Sequence, residues 1–239
     1  MSRRFGGLAA LDQLSLAVMP GSLGALIGPN GAGKTTCFAA VSGFLALDEG
    51  QVRFLGQDIT GWPAHRICRA GLVRTFQIVQ PFAGQSVLEN IAVGAQLRRP
   101  SRREALAWAA EIGSRLGLQR YFGVAAQTLP IAARKRLELA RALAADPRLL
   151  LLDEVLAGLN PAEIDEVIPL IHAIRASGVT VLMIEHVMRA VMRLAEQVWV
   201  LANGSLIAHG APAEVTRDHR VIEAYLGPGA AARLADGQP

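Results

Sequence analysis

The sequence predicts an α/β fold, with a parallel-sheet core, an antiparallel β portion on its N-terminal side and an inserted helical subdomain. Three observations carry that prediction. Short apolar runs of buried parallel-strand type recur along the chain, at Leu23 to Ile27, Leu149 to Leu152 and Thr180 to Ile184. The first runs into Gly28-Pro29-Asn30-Gly31-Ala32-Gly33-Lys34-Thr35, a complete G-x-x-x-x-G-K-S/T phosphate loop followed by Thr36 and a helix-like stretch. The middle third then turns helical in periodicity, with little strand signal.

Taken in order, the loop glycines let the backbone curl with its N–H groups inward, and Lys34 begins the helix behind them. Gln51 to Ile59 alternates like a hairpin, with Gly56, Gln57 and Asp58 as turn residues. Leu72 to Phe76 reads as a short strand ending at Gln77. Val87 to Gly94, Glu104 to Leu116 and Leu129 to Ala145 carry helical spacing, which sets the helical subdomain at roughly Gly84 to Arg136. Ser101 with Glu104 forms a capping-box pattern. Pro161 introduces a helix over Ala162 to Ala176. Asn203-Gly204, between Val198 to Ala202 and Ser205 to His209, is the strongest hairpin signal in the chain. Residues 1–226 are expected to form one domain, and 227–239 a frayed, disordered tail. There is no internal repeat, so one nucleotide cassette is expected.

Composition narrows the class. With 239 residues, 51% of them hydrophobic, the chain can build a sizeable core. No run approaches the roughly 18 apolar residues of a membrane span, and the start lacks the apolar segment of a signal peptide, so a soluble, cytoplasmic protein is expected. The formal charge of +4 is mildly basic. Its densest cluster, Arg98, Arg99, Arg102 and Arg103, has no interleaved aromatics and reads as a solvated helix end, with lipid headgroups as the alternative contact; a nucleic-acid groove is not expected. Cys37 and Cys68 fit neither metal-ligand spacing nor a disulfide framework.

The chemistry gathers at strand ends. Backbone N–H groups from Gly28 to Thr36 would cradle phosphate oxygens, Lys34 would reach the β and γ phosphates and Thr35 would ligand Mg²⁺. Leu149 to Leu152 delivers two adjacent acids: Asp153 to hold Mg²⁺ through water, and Glu154 to orient or deprotonate an attacking water at the γ-phosphate. His186, after Thr180 to Ile184, could bond the γ-phosphate or that water, although a lone histidine is usually a surface or capping residue. Gln77 sits in the matching place after Leu72 to Phe76, where its amide can reach both Mg²⁺ and water.

This joint arrangement resembles the ATP-binding cassette superfamily, in the order phosphate loop, Gln77, helical insert, signature region, Asp153-Glu154, D-loop and His186. The resemblance implies a P-loop NTPase core of RecA-like type, ATP and Mg²⁺ as cofactors, Phe5 stacking on adenine (with core packing as its alternative), and Ala157-Gly158-Leu159-Asn160 as a D-loop facing a second cassette. Phe5-Gly6-Gly7-Leu8, Ala157 to Glu163, Ile184-Glu185-His186 and Val221 to Gly227 look more narrowly like ATPase subunits of branched-chain amino-acid importers. Such subunits imply a second ATPase subunit, two membrane permeases, a periplasmic binding protein acting indirectly, and a peripheral place on the inner face of the cell membrane. Phe82 and its neighbours are then either the dock for a permease coupling helix or core packing. Other cargoes, such as urea, amides or lipopolysaccharide, and a non-transport cassette acting on nucleic acid or ribosomes are the alternatives.

Two departures stand out. The resembled family places a β-strand before the stacking aromatic, yet four residues precede Phe5, so either that strand is missing or the start lies further upstream. The signature, normally Leu-Ser-Gly-Gly-Gln or close to it, reads Leu129-Pro130-Ile131-Ala132-Ala133, without the serine hydroxyl and flexible glycines. Only the helix N-terminus and its dipole remain there. A heterodimer, pairing this chain with a partner of intact signature, is therefore favoured.

Overall fold

Two short antiparallel strands, β1 (Arg3–Phe5) and β2 (Leu8–Leu11), open the computed structural model, which describes residues 1–77, 80–227, 229 and 233. The expected tail therefore lies, apart from 227, 229 and 233, outside the described residues. Strand β3 (Leu23–Ile27) is buried along its whole length and leads through the phosphate loop into α1 (Lys34–Val41). The alternation at 51–59 yields only two short paired strands, β4 (Arg53–Phe54) and β5 (Gln57–Asp58). Beyond them the Val52 N–H goes to the Thr60 hydroxyl instead of a strand partner.

Helix α2 (Ala64–Ala70), which the sequence reading had not marked, ends on Gly71 at φ 107°, a conformation that favours glycine. Strand β6 (Leu72–Arg74) stops two residues before Phe76, yet Thr75 still bonds the neighbouring strand, donating its N–H to the Leu151 carbonyl at 2.9 Å. The helical segment follows as α3 (Val87–Ala95), α4 (Arg102–Arg115) and α5 (Ile131–Ala144). Alanines 92, 95, 105, 109, 140 and 144 are buried among these helices. Gly94 lets α3 approach α5, since a Cβ there would collide with the Arg141 carbonyl oxygen. At the start of α4 the Ser101 hydroxyl accepts the Glu104 N–H, the N-cap half of the expected box.

The remaining elements alternate as far as β9 and end in a hairpin and two short helices: β7 (Leu149–Asp153), α6 (Pro161–Ala176), β8 (Thr180–Ile184), α7 (Met188–Leu194), β9 (Gln197–Ala202), β10 (Ser205–Gly210), α8 (Pro212–Val215) and α9 (His219–Leu226). Six strands form one sheet in the order β10-β9-β3-β8-β7-β6, parallel except for the β9–β10 hairpin turning at Asn203-Gly204. Because side chains alternate across a strand, each central strand feeds two cores. Leu23, Ala25, Leu150, Val181 and Met183 face the helical side, whereas Leu26, Leu151, Leu182 and Ile184 pack with Phe38 and Cys37 of α1. Cys37 is thus buried and its thiol is pushed up to about 12 by desolvation, while Cys68 is half-buried.

The parallel order fixes where chemistry can occur. The C-terminal ends of β3, β6, β7 and β8 lie along one edge, and ligands of open α/β sheets gather outside such ends. A cavity of about 790 Å³ lies elsewhere, lined by Leu14 to Val18, residues 49–56, Phe38, Val41 and Leu151 among others. Its lining is largely apolar, and none of the expected phosphate or metal groups faces it.

Candidate nucleotide site

The phosphate loop owes its shape to close backbone approaches. A Cβ on Gly28 would collide with the Leu201 carbonyl oxygen, and one on Gly33, at φ 102°, with the Ala10 carbonyl oxygen. Lys34 is buried and folds back on the loop, donating from Nζ to the Gly28 and Pro29 carbonyl oxygens at 2.7 and 2.9 Å. Burial lowers its pKa, partly offset by the negative charges of Glu154 and Asp153. Thr35 and Thr36 stand at the N-terminus of α1, Thr35 exposed and Thr36 half-buried.

Glu154 leaves β7 with its backbone in the left-handed region, φ 50°, uncommon for a residue with a side chain. Its N–H donates to the Ile184 carbonyl oxygen at 3.0 Å, stitching the ends of β7 and β8. Its carboxylate is gripped on both sides: Gln77 Nε2 donates to Oε2 at 2.5 Å, and His186 Nε2 lies 2.8 Å from Oε1. Three expected site residues from three strand ends therefore meet on one carboxylate.

Asp153 is buried at 2% exposure and pairs through Oδ2 with Arg74 Nη2 at 2.8 Å. Its N–H donates to the Thr75 hydroxyl at 3.0 Å. The other carboxylate oxygen, Oδ1, is buried without a hydrogen-bond partner among the described residues. An orphaned anionic oxygen beside a phosphate loop suits a hydrated divalent cation. Thr35, Gln77 and Asp153, the expected Mg²⁺ group, line one cavity of about 480 Å³ together with Arg74, Glu138 and Arg141. The residues present fit Mg²⁺ held mainly by nucleotide oxygens and water.

Other expectations land more loosely. Phe5 is 48% exposed, with the Arg3 guanidinium 5.1 Å from its ring centre. Pro130 caps α5 without a side-chain hydrogen bond, and Ile131 beside it is exposed. Asn160 spends its side chain on a complete capping box with Glu163 at the start of α6. Phe82 is exposed, with Arg141 over its ring at 4.7 Å.

Sequence reasoning missed Arg74, Thr75, Lys135 and Glu185. Adjacency could have flagged Arg74, the last residue of β6 and three before Gln77, and Glu185, beside His186. Lys135 carried no such signal. Glu185 is 2% exposed and accepts the Leu156 N–H at 3.0 Å. Burial pushes its carboxyl up to about 7, opposed by the Leu156 N–H and Lys135 and reinforced by the negative charge of Glu154.

Comparison with known proteins finds relatives over nearly the whole chain. The family described as ABC transporter matches residues 11–157, and the one described as branched-chain amino acid ATP-binding cassette transporter matches 205–228. The chain is 40% identical to the high-affinity branched-chain amino acid transport ATP-binding protein BraF of Pseudomonas aeruginosa, with 95% of each covered. It is 39% identical to LivG of Escherichia coli K12, a protein of the same description, with 94% of each covered. Among solved structures, the ADP conformation of the ABC transporter cassette MJ1267 superposes with a TM-score of 0.86 at 32% identity, covering 95% of this chain and 96% of the other. The resemblance read from the motifs and the expected fold class are both borne out. The chain belongs to the ATP-binding cassette family of ABC transporters.

Proposed function

We propose that this chain is the ATP-hydrolysing subunit of an importer for branched-chain or closely related amino acids. The observation that carries the chemistry is the Glu154 carboxylate, held between Gln77 and His186 at the mouth of the phosphate loop. In this reading the loop N–H groups and Lys34 bind the phosphates, Lys34 exchanging its loop carbonyls for phosphate oxygens. Thr35, Asp153 and Gln77 would hold Mg²⁺, which when bound neutralises charge on the phosphate oxygens. Glu154 orients an attacking water and accepts its proton, and His186 supports both that carboxylate and the γ-phosphate. Phe5 offers its exposed face to the adenine.

The cargo follows from relatives similar over nearly the whole chain, and from the match at 205–228. A second cassette subunit, favoured as a different chain, would close the site from outside, and two permeases would dock near Phe82 with a periplasmic binding protein beyond them. None of the described helices is long and apolar enough to cross a membrane, so a peripheral place beneath the permeases is the reading adopted. The test is purification from native membranes, followed by reconstitution of what co-purifies into vesicles with labelled leucine outside the binding-protein face. Co-purifying permeases and ATP-dependent leucine uptake support the proposal. Co-purification with nucleic acid and no permease would overturn it.

A further inference from the structure

Helix α5 presents Lys135, Glu138 and Arg141 at i, i+3 and i+6 spacing, which places them on one face. All three meet the backbone of the segments that carry Gln77 and Glu154. Lys135 Nζ donates to the Glu154 carbonyl oxygen at 3.0 Å and lies 3.5 Å from that of Gln77. Glu138 Oε1 faces the Phe76 N–H at 3.4 Å. Arg141 Nη1 donates to the Gln80 carbonyl oxygen and to Glu138 Oε2, each at 3.0 Å.

Lys135 is the unusual member. It is 9% exposed, and among the described residues it forms no ion pair, so a buried ammonium spends its close hydrogen bond on a main-chain carbonyl. Burying a charge in that way is costly, and an apolar side chain would pack there more cheaply. Desolvation lowers its pKa, while Glu185, Glu154, Glu138 and Asp153 together favour the charged form. What the charge obtains is control of one peptide. The Glu154 backbone is left-handed, and such backbones persist only where surrounding groups over-determine them. The Glu154 carbonyl oxygen accepts from Lys135 Nζ and from the Ala157 N–H at 3.2 Å, while its N–H is tied to Ile184.

We propose that Lys135 is a positioning residue for ATP hydrolysis, a tether by which helix α5 sets the Glu154 peptide, and through it the carboxylate between Gln77 and His186. The proposal rests on Glu154 being the base. A tilt of α5 would then move Glu154 and the Gln77 segment together, since one side chain reaches both. Displacing a reacting group by about 1 Å can cost about a hundredfold in rate.

The experiment uses the assembled transporter in vesicles and compares wild type with Lys135→Met, Lys135→Arg and Glu154→Gln. It measures kcat, KM for ATP and the thermal midpoint of the purified chain. Lys135→Met should lower kcat at least about tenfold with KM within about twofold and the thermal midpoint unchanged or higher, and Lys135→Arg should recover part of the loss by donating to the same carbonyl. Wild-type turnover in Lys135→Met, with Glu154→Gln inactive, overturns the tether and leaves the site reading standing. Loss of folding or of ATP affinity in step with kcat also overturns it, because that is a structural role. Wild-type turnover in Glu154→Gln would instead remove the site reading itself.

Discussion

At the residue scale, the proposed roles separate binding from chemistry. Lys34 donates from Nζ to the Gly28 and Pro29 carbonyl oxygens of the phosphate loop. Lys34→Ala should weaken ATP binding by about 10- to 150-fold, the worth of one charge-assisted contact, measured by equilibrium titration with a fluorescent ATP analogue. An unchanged affinity would remove Lys34 from the phosphate site. Glu185 carries a pH prediction. Its carboxyl titrates near 7 when folded, against about 4.3 in an unfolded chain. Between those values the folded state keeps a proton that the unfolded state has lost, so this group's contribution falls as pH rises from about 4 to 7 and is level above. Glu185→Gln keeps an acceptor for the Leu156 N–H and should gain stability relative to wild type, on the order of a few kcal/mol, across that window in urea unfolding at stepped pH. A constant difference would show that Glu185 is not the buried titrating group. Much of this site was legible because loop spelling and strand-end position are local properties. The burial of Lys135 was not, because within Arg134-Lys135-Arg136 it reads as one more surface cation and only the packing of α5 turns it inward.

At the element scale, long apolar runs translated best. Strand β8 has the bounds its Thr180 to Ile184 run implied, since a parallel strand buried on both faces must be apolar throughout. Helices α2 and α7, seven residues each, were not marked because two turns are too short for a periodic stripe to stand out. In the expected D-loop, one residue carries an observed local role beside a proposed one. Asn160, read as a contact across a dimer, also caps α6 through its side chain, with Pro161 in the first turn. Asn160→Ala should therefore cost about 1 kcal/mol by chemical denaturation of the single chain. No measurable loss would mean that Pro161 and the sheet alone hold this helix start.

At the scale of the whole molecule, the altered signature bears on assembly. Pro130 and Ile131 head α5 with no hydroxyl to offer, so a pair of identical chains would set an incomplete surface against both nucleotides. The isolated chain should be a weak ATPase, and assembly with a partner of intact signature should raise its turnover. Pro130→Ser combined with Ala132→Gly should raise hydrolysis by the isolated chain if that surface is what limits it. Vigorous hydrolysis by the unaltered isolated chain would remove the case for asymmetry. In the proposed reaction Glu154, held by Gln77 and His186, performs the chemistry of hydrolysis while other groups bind the nucleotide. The most direct test is steady-state hydrolysis and ATP binding by the assembled transporter carrying Glu154→Gln in this chain, with its partner's site separately inactivated. ATP affinity should stay within about twofold of wild type and kcat should fall by about 10² to 10⁴. Wild-type turnover, or a loss confined to affinity, would contradict the proposed reaction.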